Sequence, residues 1–277
     1  NDKKGLKLLF VVNVDWFFLS HRLPIAIKAM EMGYEVHIAT GLTTRKDELI
    51  SYGLVVHPLN INRSSTGLLP ALMTFVGIVR VYLTTRPALV HLVTIKPTLF
   101  GGIAARLAMI PGVVVAVSGL GFVFVAQGIK AKFRRFFVGL LYRIALGHGN
   151  SHIIFQNDND RDCLVQLAGL DSRIVTTIPG SGVDLDEYSV REVPEGVPII
   201  MLAARLLADK GVREFVDAAR TILAIKSTEG PVVRFVLVGD IDESNPTSIT
   251  EGELLRWKAE GIVELWGHQV DMPKVLS

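Results

Sequence analysis

Apolar runs and helical patterns alternate along the first part of the chain. Lys7 to Asn13 reads as a strand, and Leu23 to Met32 as a helix with Pro24 near its start and Gly33 at its end. "YEVHIAT" and "LVVHPL" give the next two strands, and an apolar helix follows from Leu68 to Leu83. "PALVHLV" is a fourth strand, followed by a helix over Thr98 to Met109 capped near Thr98, and "GVVVAVS" is a fifth. After a basic helical region, "SHIIFQN" is a sixth strand, and Asp158 to Ala168 is a helix. Strands that are apolar throughout, separated by helices, predict a parallel sheet covered on both faces.

Pro179 to Pro198 breaks this rhythm with Gly, Pro, Asp and Glu and reads as a linker. The alternation then restarts: strand Ile199 to Ala203, helix from Val212, strand "VRFVLVG", helix near Leu254, strand "IVELWG". The expected organisation is α/β, with two Rossmann-like, doubly wound parallel-sheet domains. The first covers residues 1–178, the linker 179–198, and a partial second domain 199–277. Three strands are few for such a domain, so the chain is expected to be a fragment.

A net charge of +2 gives no overall field for nucleic acid. The single cysteine, Cys163, excludes an intramolecular disulfide and a cysteine-rich zinc site, and fits a reducing compartment. Leu6 to Val12 is too short for a secretory leader and runs into Asn13 and Asp15. Mean hydropathy is high, at +0.40. The longest apolar stretch, Leu68 to Leu83, carries Arg80 and falls short of the roughly 20 residues of a span. It is expected to be a buried helix packed on the sheet.

Candidate chemistry gathers where strands end, which is where open α/β sheets bind ligands. Arg205 and Lys210 lie between a strand and a helix N-terminus, where an anion is favoured. Two cations there suit a diphosphate; a solvated loop with two surface charges is the other reading. Asn13, Asp15, His21 and Arg22 follow the first strand as a candidate site, or, for His21 and Arg22, as polar helix surface. No G-x-G-x-x-G follows that strand. Lys96 opens a helix and could hold a phosphate, while Gly101 and Gly102 suit close helix–sheet packing. "VSGLGFVF" places Gly119 and Gly121 in a tight turn or beside a ligand. Lys130, Lys132, Arg134 and Arg135, interleaved with Phe133 and Phe136, suit either an anionic membrane surface or a helix with its apolar side in the core. His91, His148 and His152 read as structural, and no H-x-x-x-H or G-x-S-x-G occurs. Asp240 and Asp242 are a weakly marked acid pair.

"NVDWFFLSHRLPIA", "GSGVDLDEY", "ARLLADKGVREFVDAA", "FVLVGD" and "VELWGHQVDMPKVLS", in this order, resemble the retaining glycosyltransferases of family 4, which have the GT-B fold. The resemblance covers essentially the whole chain. It is closest to the bacterial branch that builds O-antigen, capsule and N-glycan precursors on undecaprenyl-diphosphate. It implies that Arg205 and Lys210 grip the donor diphosphate and stabilise departing UDP without a metal or other cofactor. It also implies that Gly239, Asp240 and Gly267, His268, Gln269 and Val270 line the nucleotide pocket. Asn13, His21, Arg22, Lys96, Ser118 and Gly119 become acceptor-side candidates. Lys130, Lys132, Phe133, Arg134, Arg135 and Phe136 become a peripheral contact with the cytoplasmic face of the membrane. Ser118–Gly119 stands where many members have His–Gly, and the family's Glu-x7-Glu lies outside this sequence. A non-hydrolysing UDP-sugar epimerase and a non-catalytic nucleotide-binding component are the alternative readings.

Overall fold

The computed structural model describes residues 5–61, 67–119, 129–192, 195–226, 233–243, 245 and 247–276, with the side chains of 129–136 outside that description. The chain divides into two compact units, Asn1–Gly182 and Val183–Ser277.

In unit 1, β1 (Lys7–Val14) runs straight into α1 (Asp15–His21), and α2 (Leu23–Glu31) follows a break at Arg22. The sequence pattern had marked only the second of these helices. Asp15 is why the first one forms: its fully buried carboxylate accepts from the Thr43 backbone N–H (2.6 Å) and Oγ1 (2.8 Å). This ties the helix start to the loop after β2 (Glu35–Gly41). Next come α3 (Lys46–Ser51), which the pattern did not reveal, β3 (Val55–Pro58), α4 (Leu68–Thr85) and β4 (Leu89–Val93). A turn of π-helix, Pro97–Gly101, leads into α5 (Gly102–Leu107). The expected cap at Thr98 is absent, because helical geometry already holds at Lys96 and Thr98 is buried. β5 (Gly112–Val117), α6 (Ile129–Leu146), β6 (Ser151–Phe155), α7 (Asp158–Ala168) and the unforeseen β7 (Val175–Thr177) complete the unit.

All seven strands are parallel, in the order β3-β2-β1-β4-β5-β6-β7. The chain winds outward from β1 and returns on its other side, so the switch point lies between β1 and β4. Alternate residues of the central strands enter two cores: Leu9, Val11, Leu92 and Val115 on one face, Phe10, Val12, Val93 and Ala116 on the other. Gly101 and Gly102 do serve close packing. A Cβ at Gly101 would lie 2.7 Å from Leu92 of β4, and one at Gly102 would lie 2.4 Å from the Ala145 carbonyl oxygen of α6.

One expectation is overturned. α4 is not a buried helix: Thr74, Ile78, Val81, Tyr82 and Thr85 face the core, but Leu68, Leu69, Leu72, Met73, Val76 and Leu83 are exposed. Apolar composition over 18 residues identified a helix without saying what covers its second side.

Unit 2 contains β8 (Ile199–Ala203), α8 (Val212–Lys226), β9 (Arg234–Val238), α9 (Glu251–Ala259), β10 (Glu264–Gly267) and α10 (Met272–Leu276). The strands are parallel in the order β10-β9-β8. Val212, Val216, Phe235, Leu237 and Trp257 form the core. A capping box between Thr250 and Glu253 sets the start of α9.

Candidate functional site

Parallel strands deliver their C-terminal ends to one edge of a sheet, and both units gather their polar candidates there. In unit 1, Asn13 ends β1, Ser118 and Gly119 follow β5, and Gln156 and Ser181 follow β6 and β7. The Asn13 Oδ1 atom is buried without a hydrogen-bond partner among the described residues. Beyond β4, Thr94 holds φ +74°, an outlier for a β-branched residue, and the π-turn begins just past Lys96. Desolvation lowers the Lys96 pKa. Gly119 takes φ +142°, with open space where a Cβ would lie.

Arg22 is the most constrained of these groups. At 5% exposure its guanidinium donates from Nη1 to the His21 carbonyl oxygen (3.1 Å) and to Ser181 Oγ (3.3 Å). Gln156 Nε2 donates to the same hydroxyl at 3.2 Å. The Arg22 Nε is buried and unpartnered, and among the described residues no carboxylate pairs with the cation. Burial alone lowers its pKa. A buried charge without a counter-charge is costly. Neighbouring His21 stacks on Phe17 at 4.3 Å and contacts Ser20 Oγ at 2.6 Å; burial, then Arg22, lowers its pKa.

His91, stacked on Phe10 at 5.0 Å, has an unpartnered buried Nε2. Burial, with help from the Arg22 charge, pushes its pKa from 6.5 down to about 3. The unfolded chain gains this proton near pH 6.5 and the folded chain only near 3. The stability involved is therefore intact above about pH 6.5 and is lost as pH falls towards 3, by up to about 1.4 kcal/mol per unit. Replacing His91→Phe flattens that part of the profile. Urea titrations of both proteins across the range check it, and parallel profiles would discard the assignment. The other two histidines read as structural do make local bonds: His148 Nδ1 accepts from the Asn150 N–H (3.1 Å), and His152 meets Thr176 Oγ1 (2.7 Å).

In unit 2, Arg205, Gly239, Asp240 and Gly267 converge at the ends of the three strands. Gly239 sits at φ +131°, where a Cβ would fall 1.9 Å from the Ala204 carbonyl oxygen. The backbone N–H groups of Ala204, Leu206 and Gly239 donate to Val238, Asp240 and Gly267 at 2.9 Å each, pinning the three strand ends together. Arg205, half exposed, pairs with Asp242 at 2.9 Å, so that carboxylate of the suggested acid pair is held by a cation. Lys210 is exposed at the end of a 3-10 turn, one residue before Gly211 (φ +73°) and the start of α8. His268 and Val270 are exposed, and Gln269 donates to the Trp266 carbonyl oxygen at 2.7 Å. In unit 1, a cavity of about 510 Å³, lined by Arg106, Arg143, His148 and Asp171 among others, opens at the edge of the sheet opposite Asn13, Ser118 and Gln156. Among the described residues, no three His, Cys, Asp or Glu side chains are grouped to hold a metal ion.

The side chains of Lys130, Lys132, Phe133, Arg134, Arg135 and Phe136 lie outside the described residues, although their backbone belongs to α6. Gly121 also falls outside them. Sequence reasoning missed Ser181 and Gln156, and their tie to Arg22 spans 159 positions for Ser181.

Two α/β units with polar groups gathered at the C-terminal edges of their parallel sheets define the GT-B class of fold. The family described as Glycosyl transferase 4-like matches residues 7–157, more than half of the chain. The chain belongs to that family and is a glycosyltransferase. A Campylobacter jejuni subsp. jejuni (serotype O:2) protein is 28% identical over 281 residues, covering 94% of this chain and 71% of its own length. It is an N,N'-diacetylbacillosaminyl-diphospho-undecaprenol alpha-1,3-N-acetylgalactosaminyltransferase. Among solved structures, Anabaena Alr3699/HepE in complex with UDP and glucose is similar, with TM-score 0.66 and 18% identity over 98% of this chain and 72% of that one. The UDP-GlcNAc 2-epimerase from Neisseria meningitidis bound to UDP-GlcNAc is comparably similar, with TM-score 0.65 and 14% identity over 98% of this chain and 75% of that one. At these identities the structural likeness shows the fold alone.

Proposed function

We propose that the protein transfers a sugar, with retention, from a UDP-sugar to a lipid-diphosphate-linked glycan in cell-surface polysaccharide or glycan biosynthesis. The observation that carries this reading is the strand-end loop of unit 2. Backbone bonds and Gly239 fix Ala204 in place, and the loop carries Arg205 and Lys210 immediately before α8. In the proposed reaction the acceptor hydroxyl attacks the anomeric carbon on the face that UDP leaves. The C–O bond to the diphosphate breaks, and a donor phosphate oxygen takes the hydroxyl proton. Arg205 and Lys210 stabilise the charge on departing UDP, a fixed electrostatic contribution that replaces a metal. Arg205 would exchange its bond to Asp242 for one to phosphate. Gly239, Asp240 and the Gly267–Val270 turn would hold the nucleoside, and no cofactor takes part.

The uncompensated Arg22, with Ser181 and Gln156 fixing it, is assigned to the acceptor diphosphate, and Asn13, His21, Lys96, Ser118 and Gly119 surround the same edge. The Campylobacter relative, whose acceptor is a diphospho-undecaprenol and whose linkage is alpha, is in keeping with this choice. Such an acceptor puts the enzyme at the cytoplasmic face of the membrane as a peripheral protein.

UDP calorimetry in the presence of a chelator tests the donor site. Binding is expected without added metal, and Arg205→Ala and Lys210→Ala are each expected to weaken it by more than about 1.5 kcal/mol. Binding that ignores both substitutions would overturn the donor assignment.

A further inference from the structure

Crossover helices ordinarily bury their apolar stripe and turn polar residues to water. α4 is apolar on both sides, with Ile78, Val81 and Tyr82 in the core. Its inward polar groups are all satisfied: Thr74 Oγ1 donates to the Asn60 carbonyl oxygen (2.9 Å), Tyr82 to Gly101 (3.2 Å) and Thr85 to Val81 (2.6 Å). Its outward residues are Leu68, 90% exposed, with Leu69, Leu72, Met73, Val76 and Leu83. The apolar surface continues onto the neighbouring helices. Met109, 85% exposed, and Leu107 lie at the end of α5, and Phe137, Leu140, Leu141 and Ile144 are exposed on α6. α5 is locked to both neighbours, through the Tyr82–Gly101 bond and through Arg106, which donates to the Ile144 carbonyl oxygen at 3.0 Å.

The same stretch of chain has an unusual charge pattern. Residues 49–157 contain no Asp or Glu, and all 27 acidic residues lie outside them. Within them are ten Lys or Arg, including Arg80, Arg86, Arg106 and Arg143. An apolar face on helices that carry cations and no carboxylate of their own matches one partner above others. We propose that the outer face of α4, continued by the exposed residues of α5 and α6, is where the protein lies on an anionic lipid bilayer. Leucines would enter the headgroup boundary while arginines such as Arg80 meet acidic headgroups.

A second copy of the chain is a poorer occupant, since two such faces would bring together helices that carry cations and no carboxylate of their own. By length and composition α4 is long and apolar enough to cross a bilayer, but its packing argues against spanning. α4 has 18 residues, about 27 Å at 1.5 Å per residue, and its Ile78, Val81 and Tyr82 belong to the sheet core. The helix can enter a bilayer only sideways. This inference deepens the lipid-acceptor reading above, yet vesicle binding requires neither donor nor acceptor, so each can fail without the other.

Co-sedimentation with phosphatidylcholine vesicles, with and without phosphatidylglycerol, tests it. The protein is expected to bind the anionic vesicles, to ignore the neutral ones and to be released by salt. The triple variant L69Q/L72Q/V76Q is expected to lose at least about tenfold in partitioning. Leu255→Gln, an exposed leucine of unit 2, should change nothing. Because the three residues are exposed, the variant is expected to keep the parental thermal transition and UDP affinity. Equal binding to neutral vesicles, or unchanged partitioning of a folded triple variant, overturns the proposal. So does a lipid-free dimer that the triple variant disperses, which would make the face a contact between copies.

Discussion

Gly239→Ala unfolds unit 2 under conditions where the parental chain is intact. Two costs add at this position. The backbone conformation, φ +131°, is one that side chains with a Cβ rarely adopt, and the new carbon would lie 1.9 Å from the Ala204 carbonyl oxygen. The neighbours cannot give way, because Ala204 and Leu206 are bonded to Val238 and Asp240, and Gly239 itself is bonded to Gly267. Moving any one strand end breaks bonds to the next. A loss of at least about 3 kcal/mol is expected, a large part of an ordinary domain's stability. Since Arg205 follows Ala204 directly, UDP affinity should collapse with it. Denaturant titration gives the answer, and a change below about 1 kcal/mol would show that the loop is softer than its bonds imply.

Arg22→Met separates stability from activity in the opposite sense. Methionine removes a buried charge that no carboxylate compensates, while its chain fills much of the same volume. Ser181 keeps the bond from Gln156. Thermal stability is therefore expected to hold or rise. If the site receives an acceptor phosphate, the variant forfeits charge-assisted bonds of about 1.5–3 kcal/mol, a fall of roughly 10- to 100-fold in kcat/KM for the lipid acceptor. UDP binding should not change. A melting point several degrees lower with a matching loss of activity would instead make Arg22 a structural residue.

Much of this molecule can be read from its sequence, for reasons that also explain the gaps. Strands such as Leu8 to Val12 are buried on both faces and so are continuously apolar. β7 carries no such mark: it is three residues long, none of them fully buried, at the sheet edge. α1 follows β1 without a breaker, and its cause, the capture of Asp15 by Thr43, is a contact between distant positions. At the candidate site, Arg205 and Gly239 announce themselves through strand-end position and glycine. The isolation of Arg22 does not, since it depends on burial and on the absence of nearby acids in space. The acid-free stretch, by contrast, is visible in the sequence alone; a net charge of +2 hides it by averaging over the whole chain.

That averaging also determines what can switch the cationic face on or off. Its charge comes from arginine and lysine, with no carboxylate between residues 49 and 157 to titrate against them. From about pH 7 to about pH 9 its field is therefore nearly constant. If the proposed bilayer contact holds, ionic strength and headgroup composition remain as its controls, and a cell that alters the acidic lipid content of its membrane would change the enzyme's residence there without altering its active site.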